Sequence, residues 1–477
     1  MSESGEAKTS AAEVDYEHLA APEPNGEVSG IWPLTAQRAD DGALTIGGVS
    51  VAQIASDFGT PVYVIDEVDF RTRAAAWKRA MDEAFADLAG ADVYYACKAF
   101  ASVGVCGWAL EEGLRLDACS EGEMRTAFGA GAKGEQIGLH GNNKSRREIE
   151  MAIDNGVAHL VVDSLAELAH VADVAHWGDD GGTVAKVVLR VTAGIHAGGH
   201  EAISTGHEDQ KFGLSIASGA AWEAICETQR NQRLELVGLH SHIGSQIFTP
   251  EAFSQAARAL LDLRARTAAE FGVVLPEIDF GGGYGVRYTA ADPVAPAPAD
   301  YARALAAAVR EHVEASGLAA PRVSIEPGRS IVAPAGVTVY SVGAIKDVPL
   351  EGGKSRKYVA VDGGMSDNIR TALYDAAYTA ALANRESDAP SAVTRVVGKH
   401  CESGDIVVRD VALPEDIAFG DILAVPVTGA YGRSMASNYN MLPRPGVLAV
   451  REGKAHWLIY QEEVPDLLSL DADYIGE

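Results

Sequence analysis

The stretch that decides the fold runs from Asp92 to Ser120 and reads DVYYACKAFASVGVCGWALEEGLRLDACS. Two short apolar runs, Val93 to Cys97 and Leu114 to Cys119, lie near its ends, and a segment of helical period separates them. Short apolar runs that alternate with helical segments are typical of consecutive βα units around a parallel sheet. The stretch therefore predicts one βα unit, and the start of the next, in an α/β fold.

The same alternation continues through the middle of the chain and predicts eight strands in all. They are Val93 to Cys97, Leu114 to Cys119, Gln136 to His140, His159 to Asp163, Lys186 to Val191, Leu236 to His242, Glu277 to Phe280 and Arg322 to Glu326. Helical segments lie between them, for example Ser145 to Asn155, Leu165 to His176 and Glu251 to Glu270. Eight units over about 240 residues match a (β/α)8 barrel, although an open doubly wound sheet remains an alternative. Lysine, histidine, glycine and carboxylate residues follow several of the strands, which favours the barrel because barrel enzymes build their sites there.

The chain changes character after Ser330, where strand-like runs punctuated by Gly, Pro and Asp replace the helical segments. These runs read GVTVYSVGAI, KYVAVDG, DIVVRDVAL, DILAVPVTG and GVLAV. We expect a second, β-rich domain, and we expect Ala43 to Asp66 to pair with it because this segment has similar strand signals. The predicted division is a disordered tail over 1–30, an N-terminal segment over 31–67, the barrel over 68–334 and the β domain over 335–477.

The composition excludes several classes of function. The 477 residues carry a formal net charge of −28, which argues against a nucleic-acid partner or an anionic membrane surface. The hydrophobic share of 47% and the charged share of 22% are ordinary for a globular protein. The five cysteines form no CxxC pair, and neither a signal peptide nor an apolar run long enough to span a bilayer is visible. We therefore expect a cytoplasmic protein.

Several predicted strands end in residues that could do chemistry together. Lys98 could form an imine through its amine, and His242 could stack on a flat ring while Ser245 binds a phosphate. The turn Gly281 to Gly283 could hold an anion through its backbone N–H groups, and Glu326 could keep a pyridine nitrogen protonated. Each also has an ordinary explanation, as a solvated lysine, a core histidine, a tight turn or a salt-bridged turn. Their common position after the strands of one barrel favours a shared site.

Eight motifs occur in an order that resembles the fold-type III pyridoxal-phosphate decarboxylases. They are YYACKAF, LDACSEGE, HSHIGSQ, DFGGGYG, EPGRSIV, VDGGMSDNIRTALYDA, CESGD and GAYGRSMASNYN, and the resemblance covers roughly residues 45 to 460. A glycine run alone is unspecific, whereas eight motifs in series are not. Within the family, NIR…LYDA followed by CESGD resembles the branch that acts on diaminopimelate and differs from the ornithine and arginine branches. The resemblance implies a carboxy-lyase that converts meso-2,6-diaminopimelate to L-lysine and carbon dioxide.

The resemblance also assigns a pyridoxal 5'-phosphate site to this chain residue by residue. It implies that Lys98 holds the cofactor as a Schiff base, that His242 stacks on the ring and that Glu326 is the partner of the pyridinium nitrogen. The other cofactor contacts that it implies are Asp117, Ser245, Gly282, Gly283, Gly328, Arg329 and Tyr431. No metal is implied.

For the substrate, the resemblance implies that one end is held while the other reacts. The implied contacts are Arg329, Arg370, Tyr374, Glu402 and Tyr431. Arg370 and Tyr374 would share one face if their segment is helical, because they are four residues apart. Cys401 resembles the proton donor to the decarboxylated carbon, which reaches the site from the partner subunit of a homodimer. Position 371 is threonine where the family pattern NIRPALY has proline, and we expect it to loosen the start of the segment with little functional change.

Two alternatives stay open on the sequence alone. Another fold-type III decarboxylase, or a racemase acting on a basic amino acid, would share Lys98 but lack the set Arg370, Tyr374 and Glu402. A non-catalytic pyridoxal-phosphate carrier would need only the barrel. The β-rich domain with Cys401 counts against such a carrier.

Overall fold

The computed structural model describes residues 19, 21–24, 30–175, 184–194, 211–350 and 355–474. The predicted tail over 1–30 lies almost entirely outside the described residues, and so does His176, the predicted end of one helix. None of the helices in the described ranges is long and apolar enough to cross a membrane.

Eight parallel strands form a closed barrel in the order in which they follow one another in the sequence. They are Ala91–Ala96, Arg115–Ala118, Ile137–Leu139, His159–Val162, Ala185–Thr192, Leu234–His240, Glu277–Asp279 and Arg322–Ile325. The barrel closes because the eighth strand pairs with the first, with Val323 opposite Ala91. All eight predicted strands are therefore confirmed, and closure decides between the barrel and an open sheet.

The barrel helices begin beside the carboxyl ends of the strands. They are Glu67–Ala84, Val103–Glu111, Glu121–Gly129, Arg146–Asp154, Leu165–Val174, Ala220–Arg230, Pro250–Phe271, Pro298–Ser316 and Arg329–Ala335. Four of them follow a serine whose hydroxyl accepts a backbone N–H of the first turn, namely Ser102, Ser120, Ser145 and Ser164. Each such cap stabilises a helix by about 1 kcal/mol, so these turns are held firmly at the face where the strands end.

A second sheet of nine strands forms the β-rich domain. Its strands are Val62–Asp66, Gly336–Pro349, Ser355–Val361, Ala381–Leu382, Ser391–Val397, Ile406–Pro414, Ile422–Pro426, Val447–Arg451 and Lys454–Ile459. The N-terminal strand Val62–Asp66 lies inside this sheet, antiparallel to Gly336–Pro349 and parallel to Val447–Arg451. The predicted fold class, a barrel with a β domain that includes an N-terminal segment, is confirmed. The predicted domain limits stay a prediction.

Smaller elements complete the described chain. They are the strands Gln37–Arg38, Leu44–Ile46, Val49–Ser50 and Leu214–Ser215, the α-helices Val51–Phe58, Arg370–Tyr374 and Val464–Leu468, and the 3-10 turns Gly134–Gln136, Arg433–Met435 and Tyr439–Met441.

The two domains are joined without linkers. The strand Val62–Asp66 runs directly into the helix Glu67–Ala84, and Asp66 caps that helix by accepting the backbone N–H groups of Val68 and Asp69. The helix Arg329–Ala335 runs directly into the strand Gly336–Pro349. At both junctions between the domains, one element of secondary structure therefore follows another without a loop. These junctions hold the β domain against the barrel face where the site lies.

Candidate active site

A cavity of about 350 Å³ opens where the barrel strands end and the β domain covers them. Its size lies within the usual range for small-molecule sites, about 300–1,000 Å³. Ten of the residues predicted from the sequence line it: Lys98, His242, Ser245, Gly283, Glu326, Gly328, Arg329, Arg370, Tyr374 and Tyr431. Four of the predicted residues do not, namely Asp117, Gly282, Cys401 and Glu402.

Lys98 follows the first barrel strand, and its side chain is open to the cavity. Burial lowers the pKa of this lysine, but electrostatic interactions with the acidic groups around it, Tyr431 first and then Asp117 and Glu326, outweigh burial and raise the pKa above its usual value. The ammonium form is therefore stabilised before any ligand binds. A ligand with a negative charge and a carbonyl carbon suits this amine.

Glu326 is buried at the floor of the cavity between two histidines that the sequence analysis did not select. Its Oε1 atom lies 2.8 Å from Nε2 of His140 and 3.2 Å from Nε2 of His240. Burial alone would raise the pKa of Glu326, but the two imidazoles hold it well below its ordinary value. The floor of the cavity therefore carries an ionised carboxylate, which can hold a protonated ring nitrogen.

Asp117 reaches the site through His140, because its Oδ1 lies 3.3 Å from Nε2 of that histidine. Burial, followed by the charge of Glu326, raises the pKa of Asp117 well above its ordinary value. Asp117 thus keeps its proton, whereas Glu326, the other carboxyl group beside His140, is ionised. The predicted contact of Asp117 with a cofactor stays a prediction.

The loops after the sixth and seventh strands approach each other so closely that Gly283 has no room for a side chain. Its φ is 110°, and a Cβ atom there would lie 2.1 Å from the carbonyl oxygen of Gly244. Nearby, Gly282 donates its backbone N–H to Nδ1 of His242 at 3.2 Å. Nδ1 is therefore an acceptor, and burial followed by the charge of Lys98 holds the pKa of this imidazole well below its usual value. His242 is a neutral ring at the wall of the cavity.

Arg329 connects this glycine turn to the wall formed by the β domain. It donates from Nη2 to the hydroxyl of Ser245 at 2.9 Å and from Nη1 to the hydroxyl of Tyr288 at 2.7 Å. The guanidinium also lies 4.7 Å from the ring centre of Tyr431. A guanidinium beside a hydroxyl and a glycine turn is a suitable site for a phosphate group.

Arg370 brings a second guanidinium to the same wall. It donates to the hydroxyl of Tyr378 at 2.6 Å and lies 5.0 Å from the ring centre of Tyr288. Burial alone would raise the pKa of Tyr288, but Arg329 and Arg370 lower it below its usual value. No carboxylate in the described ranges forms an ion pair with either arginine, so both cations are available for anionic groups of a ligand.

The helix Arg370–Tyr374 confirms that Arg370 and Tyr374 can share a face, and both line the cavity. The expectation that Thr371 loosens the start of this segment stays a prediction. Thr371 is buried, and its hydroxyl donates to the carbonyl of Val407 at 3.1 Å. The threonine replaces the stiffness of a proline ring with a hydrogen bond to the strand Ile406–Pro414.

Cys401 and Glu402 are exposed on a loop of the β domain and do not line the cavity of their own chain. His400 anchors this loop, since its backbone N–H donates to Asp405 at 2.8 Å and its Nε2 lies 2.8 Å from the hydroxyl of Ser366. The loop is therefore ordered while its two predicted functional side chains point elsewhere. Their predicted roles require a second subunit and stay predictions.

Four residues of the site were missed by the sequence analysis: His140, His240, Tyr288 and Tyr378. The two histidines had a usable signal, because both lie at the carboxyl ends of predicted barrel strands, the positions that made Lys98 and Glu326 candidates. The two tyrosines had none, since they lie in loops and reach the arginines only in the folded chain.

Together, these groups are the set that a pyridoxal phosphate needs. The cavity offers an amine for its carbonyl, a carboxylate for its ring nitrogen, an imidazole for its ring face and a guanidinium with a hydroxyl and a glycine turn for its phosphate. The second guanidinium is left for the carboxylate of another ligand.

Comparison with known proteins agrees with this site. The family described as "Pyridoxal-dependent decarboxylase, pyridoxal binding domain" matches residues 68–333. A diaminopimelate decarboxylase of Mycobacterium tuberculosis is 47% identical over 92% of this chain and 97% of its own length. One from Bacillus subtilis is 43% identical over 92% of this chain and 98% of its own length.

The likeness extends to a solved structure. The crystal structure of the diaminopimelate decarboxylase from M. jannaschii, in complex with L-lysine, has a TM-score of 0.85 and 30% identity, and the match covers 93% of this chain and 98% of that one. The chain therefore belongs to the pyridoxal-dependent decarboxylases and, among them, to the diaminopimelate decarboxylase family.

Proposed function

We propose that this protein is a carboxy-lyase that uses pyridoxal 5'-phosphate to convert meso-2,6-diaminopimelate to L-lysine and carbon dioxide. The observation that carries the proposal is the pair Arg329 and Arg370, which line the cavity that Lys98 enters and have no described carboxylate partner. Diaminopimelate has a carboxylate at each end. A site whose two guanidinium groups can together serve the cofactor phosphate and the distal carboxylate suits such a substrate.

Bound pyridoxal phosphate would supply an electron sink for the bond that breaks. Lys98 would hold the cofactor covalently, and His242 would lie against the ring as a neutral imidazole. Glu326 would keep the ring nitrogen protonated. Ser245, Arg329 and the turn at Gly283 would hold the phosphate. Asp117, Gly282, Gly328 and Tyr431 would complete the cofactor site. These roles rest on the positions of the side chains and on the family resemblance.

The distal end of the substrate would lie against the β domain. Arg370 and Tyr374 would hold its carboxylate with Arg329, while Tyr431 would contact both cofactor and substrate. Glu402 would bind the distal ammonium. Because Glu402 and Cys401 are exposed in their own chain, we propose a homodimer in which the partner supplies both. Cys401 would then donate the proton that replaces the lost carboxyl group.

We also propose that the protein works in the cytoplasm. The support is the composition: five cysteines without a CxxC pair, and a net charge of −28 that favours solubility.

The direct test is a comparison of substrates with the full chain loaded with pyridoxal phosphate. We expect release of carbon dioxide from meso-diaminopimelate to be about 100-fold or more faster, as kcat/KM, than from L-lysine, ornithine or arginine. These three share a basic end but lack the second carboxylate. Equal rates would contradict the substrate, and racemisation without carbon dioxide would favour the racemase alternative. Binding of the cofactor without turnover of any of them would favour a carrier.

A further inference from the structure

The floor of the cavity contains a buried group of two imidazoles and one carboxylate. His140 is 8% exposed, His240 is 0% exposed and Glu326 is 6% exposed. His140 and Glu326 directly follow the third and eighth strands of the barrel, and His240 is the last residue of the sixth. The two rings meet edge to face, with centroids 4.8 Å apart. Oε1 of Glu326 and both ring nitrogens of His240 have no hydrogen-bond partner elsewhere in the described part of the chain, so these buried polar groups depend on their close contacts with one another.

We infer that His140 and His240 are positioning residues that hold Glu326 ionised through its Oε1 atom and leave its Oε2 atom to hold the ring nitrogen of the cofactor in its protonated form. The inference deepens the proposed function and rests on it. The two histidines act through Glu326, and neither histidine needs to touch cofactor or substrate.

The geometry supports this division of the carboxylate. Both Nε2 atoms approach the same oxygen, at 2.8 Å for His140 and 3.2 Å for His240. Glu326 also lines the cavity. Because the two histidines contact Oε1, Oε2 is the oxygen of Glu326 that a ligand can bind. Two Nε2 atoms this close to one oxygen restrict rotation of the carboxylate, although neither contact has the alignment of a regular hydrogen bond in the described part of the chain.

Burial favours neutral imidazoles in this group, against the charge of Glu326, which raises the pKa of both rings. Burial lowers the pKa of both His140 and His240. Neutral rings can each carry a hydrogen on Nε2, and that hydrogen is what an ionised carboxylate accepts. A cationic imidazole would instead compete with the pyridinium for the charge of Glu326. The floor thus keeps one negative charge, and that charge faces the cavity.

Other titratable groups face the cluster and agree with this arrangement. Asp117 lies 3.3 Å from Nε2 of His140, and its raised pKa keeps it protonated beside the ionised Glu326. Asp279 acts on His240 from the seventh strand, and burial raises its pKa to about 6. Arg190 acts on His140 and Glu326 from the fifth strand. Of the two neighbouring carboxyl groups, Asp117 therefore carries the proton and Glu326, which would face the ring nitrogen of the cofactor, does not.

A metal ion is the competing occupant, because one donor atom from each of the three residues lies within 4.8 Å of the others. Histidine and carboxylate donors suit zinc. Metal analysis of the purified holoenzyme distinguishes the two interpretations. Stoichiometric metal that withstands dialysis but is removed by a chelator, with loss of activity, would overturn the inference; protein with no bound metal supports it.

The decisive experiment measures the protonation state of the ring nitrogen directly. Full-length protein is loaded with pyridoxal phosphate carrying ¹⁵N in the ring, and the ¹⁵N chemical shift is recorded. The wild type should show a pyridinium shift. His140→Leu and His240→Leu should move the shift toward that of the unprotonated ring and lower kcat about 10- to 100-fold. His140→Gln and His240→Gln keep a side-chain N–H that can reach the carboxylate. These two variants should therefore largely retain the pyridinium shift and the wild-type kcat.

The outcomes separate this inference from the proposed function. If the wild type does not bind the cofactor, the proposed function fails. If it binds the cofactor and the leucine variants keep a pyridinium shift, the inference fails while the proposed function stands. If a leucine variant does not fold, as judged by circular dichroism, His240→Asn replaces it, because the shorter amide keeps a polar group at the site but cannot reach Glu326. An unchanged shift in that variant likewise overturns the inference.

Discussion

Arg370 and Tyr378 are joined by a hydrogen bond of 2.6 Å, in which the guanidinium donates from Nη1 to the phenol oxygen. Both side chains are buried, at the wall where the β domain covers the barrel. A hydrogen bond from a charged donor in such a place stabilises its geometry by roughly 1.5–3 kcal/mol. The orientation of Arg370 toward the cavity therefore depends on Tyr378.

We predict that Tyr378→Phe weakens substrate binding more than turnover. Loss of about 1.4 kcal/mol would raise KM for meso-diaminopimelate about tenfold, with a small change in kcat, because the distal carboxylate is held equally in the ground and transition states. Steady-state kinetics check this. The matched control is Tyr340→Phe, which removes a buried hydroxyl that has no hydrogen-bond partner in the described part of the chain. Equal effects of the two substitutions would contradict the role of Tyr378.

The covalent link to Lys98 can be located chemically. Borohydride reduction of the holoenzyme should fix the cofactor to the peptide that contains Lys98, as read by mass spectrometry. Lys144 is an internal control, since it is buried, unlike Lys98, and its Nζ is held by Glu167 at 3.1 Å and by the carbonyl of Gly141 at 2.7 Å. Label on Lys144, or absence of label on Lys98, would contradict the assignment.

A shared active site predicts complementation between two inactive variants. Lys98→Ala and Cys401→Ala chains, each inactive alone, should regain activity when mixed under conditions that exchange subunits. In a two-fold dimer, half of the random pairs are mixed and each has one intact site, so recovery should approach about a quarter of wild-type activity. Absence of recovery, with subunit exchange verified by tagged chains, would argue against a site completed by Cys401 of a partner.

Glu402 should contribute to recognition of the distal ammonium. Glu402→Ala should raise KM for meso-diaminopimelate about tenfold or more, because loss of a charged hydrogen-bond partner typically costs roughly 1.5–3 kcal/mol. The cofactor absorbance should not change. Glu415→Ala removes another exposed carboxylate of the same domain and serves as the control. Unchanged kinetics in the Glu402 variant would remove this residue from the proposed site.

The buried carboxyl of Asp367 predicts a pH dependence of stability. Burial raises its pKa to about 7 in the folded state, against the ordinary value of 3.8. The folded state therefore binds the proton more tightly, and its contribution is complete at low pH and is lost as pH rises from about 4 through about 7. The loss from this group is on the order of 4 kcal/mol.

Asp367→Asn cannot ionise and should not show this loss. Urea unfolding at several pH values should give a difference in unfolding free energy, variant minus wild type, that increases as pH rises toward about 7 and then levels off. A difference that does not vary with pH would show that Asp367 has an ordinary pKa in the folded state.

The barrel could be predicted from the sequence because its signals are local. The apolar run Val93 to Cys97 and its seven counterparts carry strand propensity within a few residues, and each is confirmed as a strand. Residues such as Lys98 and Glu326 could be selected for the same reason, since their position at a strand end is readable along the chain. Closure of the barrel was not readable, because it depends on pairing between the first and eighth strands.

The contacts that tune the site could not be predicted, because they depend on how strands and loops are brought together in the folded chain. His140 lies 186 positions before Glu326, and Tyr378 reaches Arg370 from a loop without regular structure. Thr371 shows the same limit, since the hydrogen bond to Val407 that replaces the expected proline crosses to another strand. Composition and periodicity contain no information about such pairs.

The sequence by itself determined the α/β fold class, the β-rich second domain and the family, because strand propensity and linear motifs are properties of short segments. The tertiary structure decided which polar groups meet in the cavity and what charge each carries there. Burial and neighbouring charges set the pKa of Glu326, Asp117 and Tyr288, and both exist only when distant strands and loops are brought together.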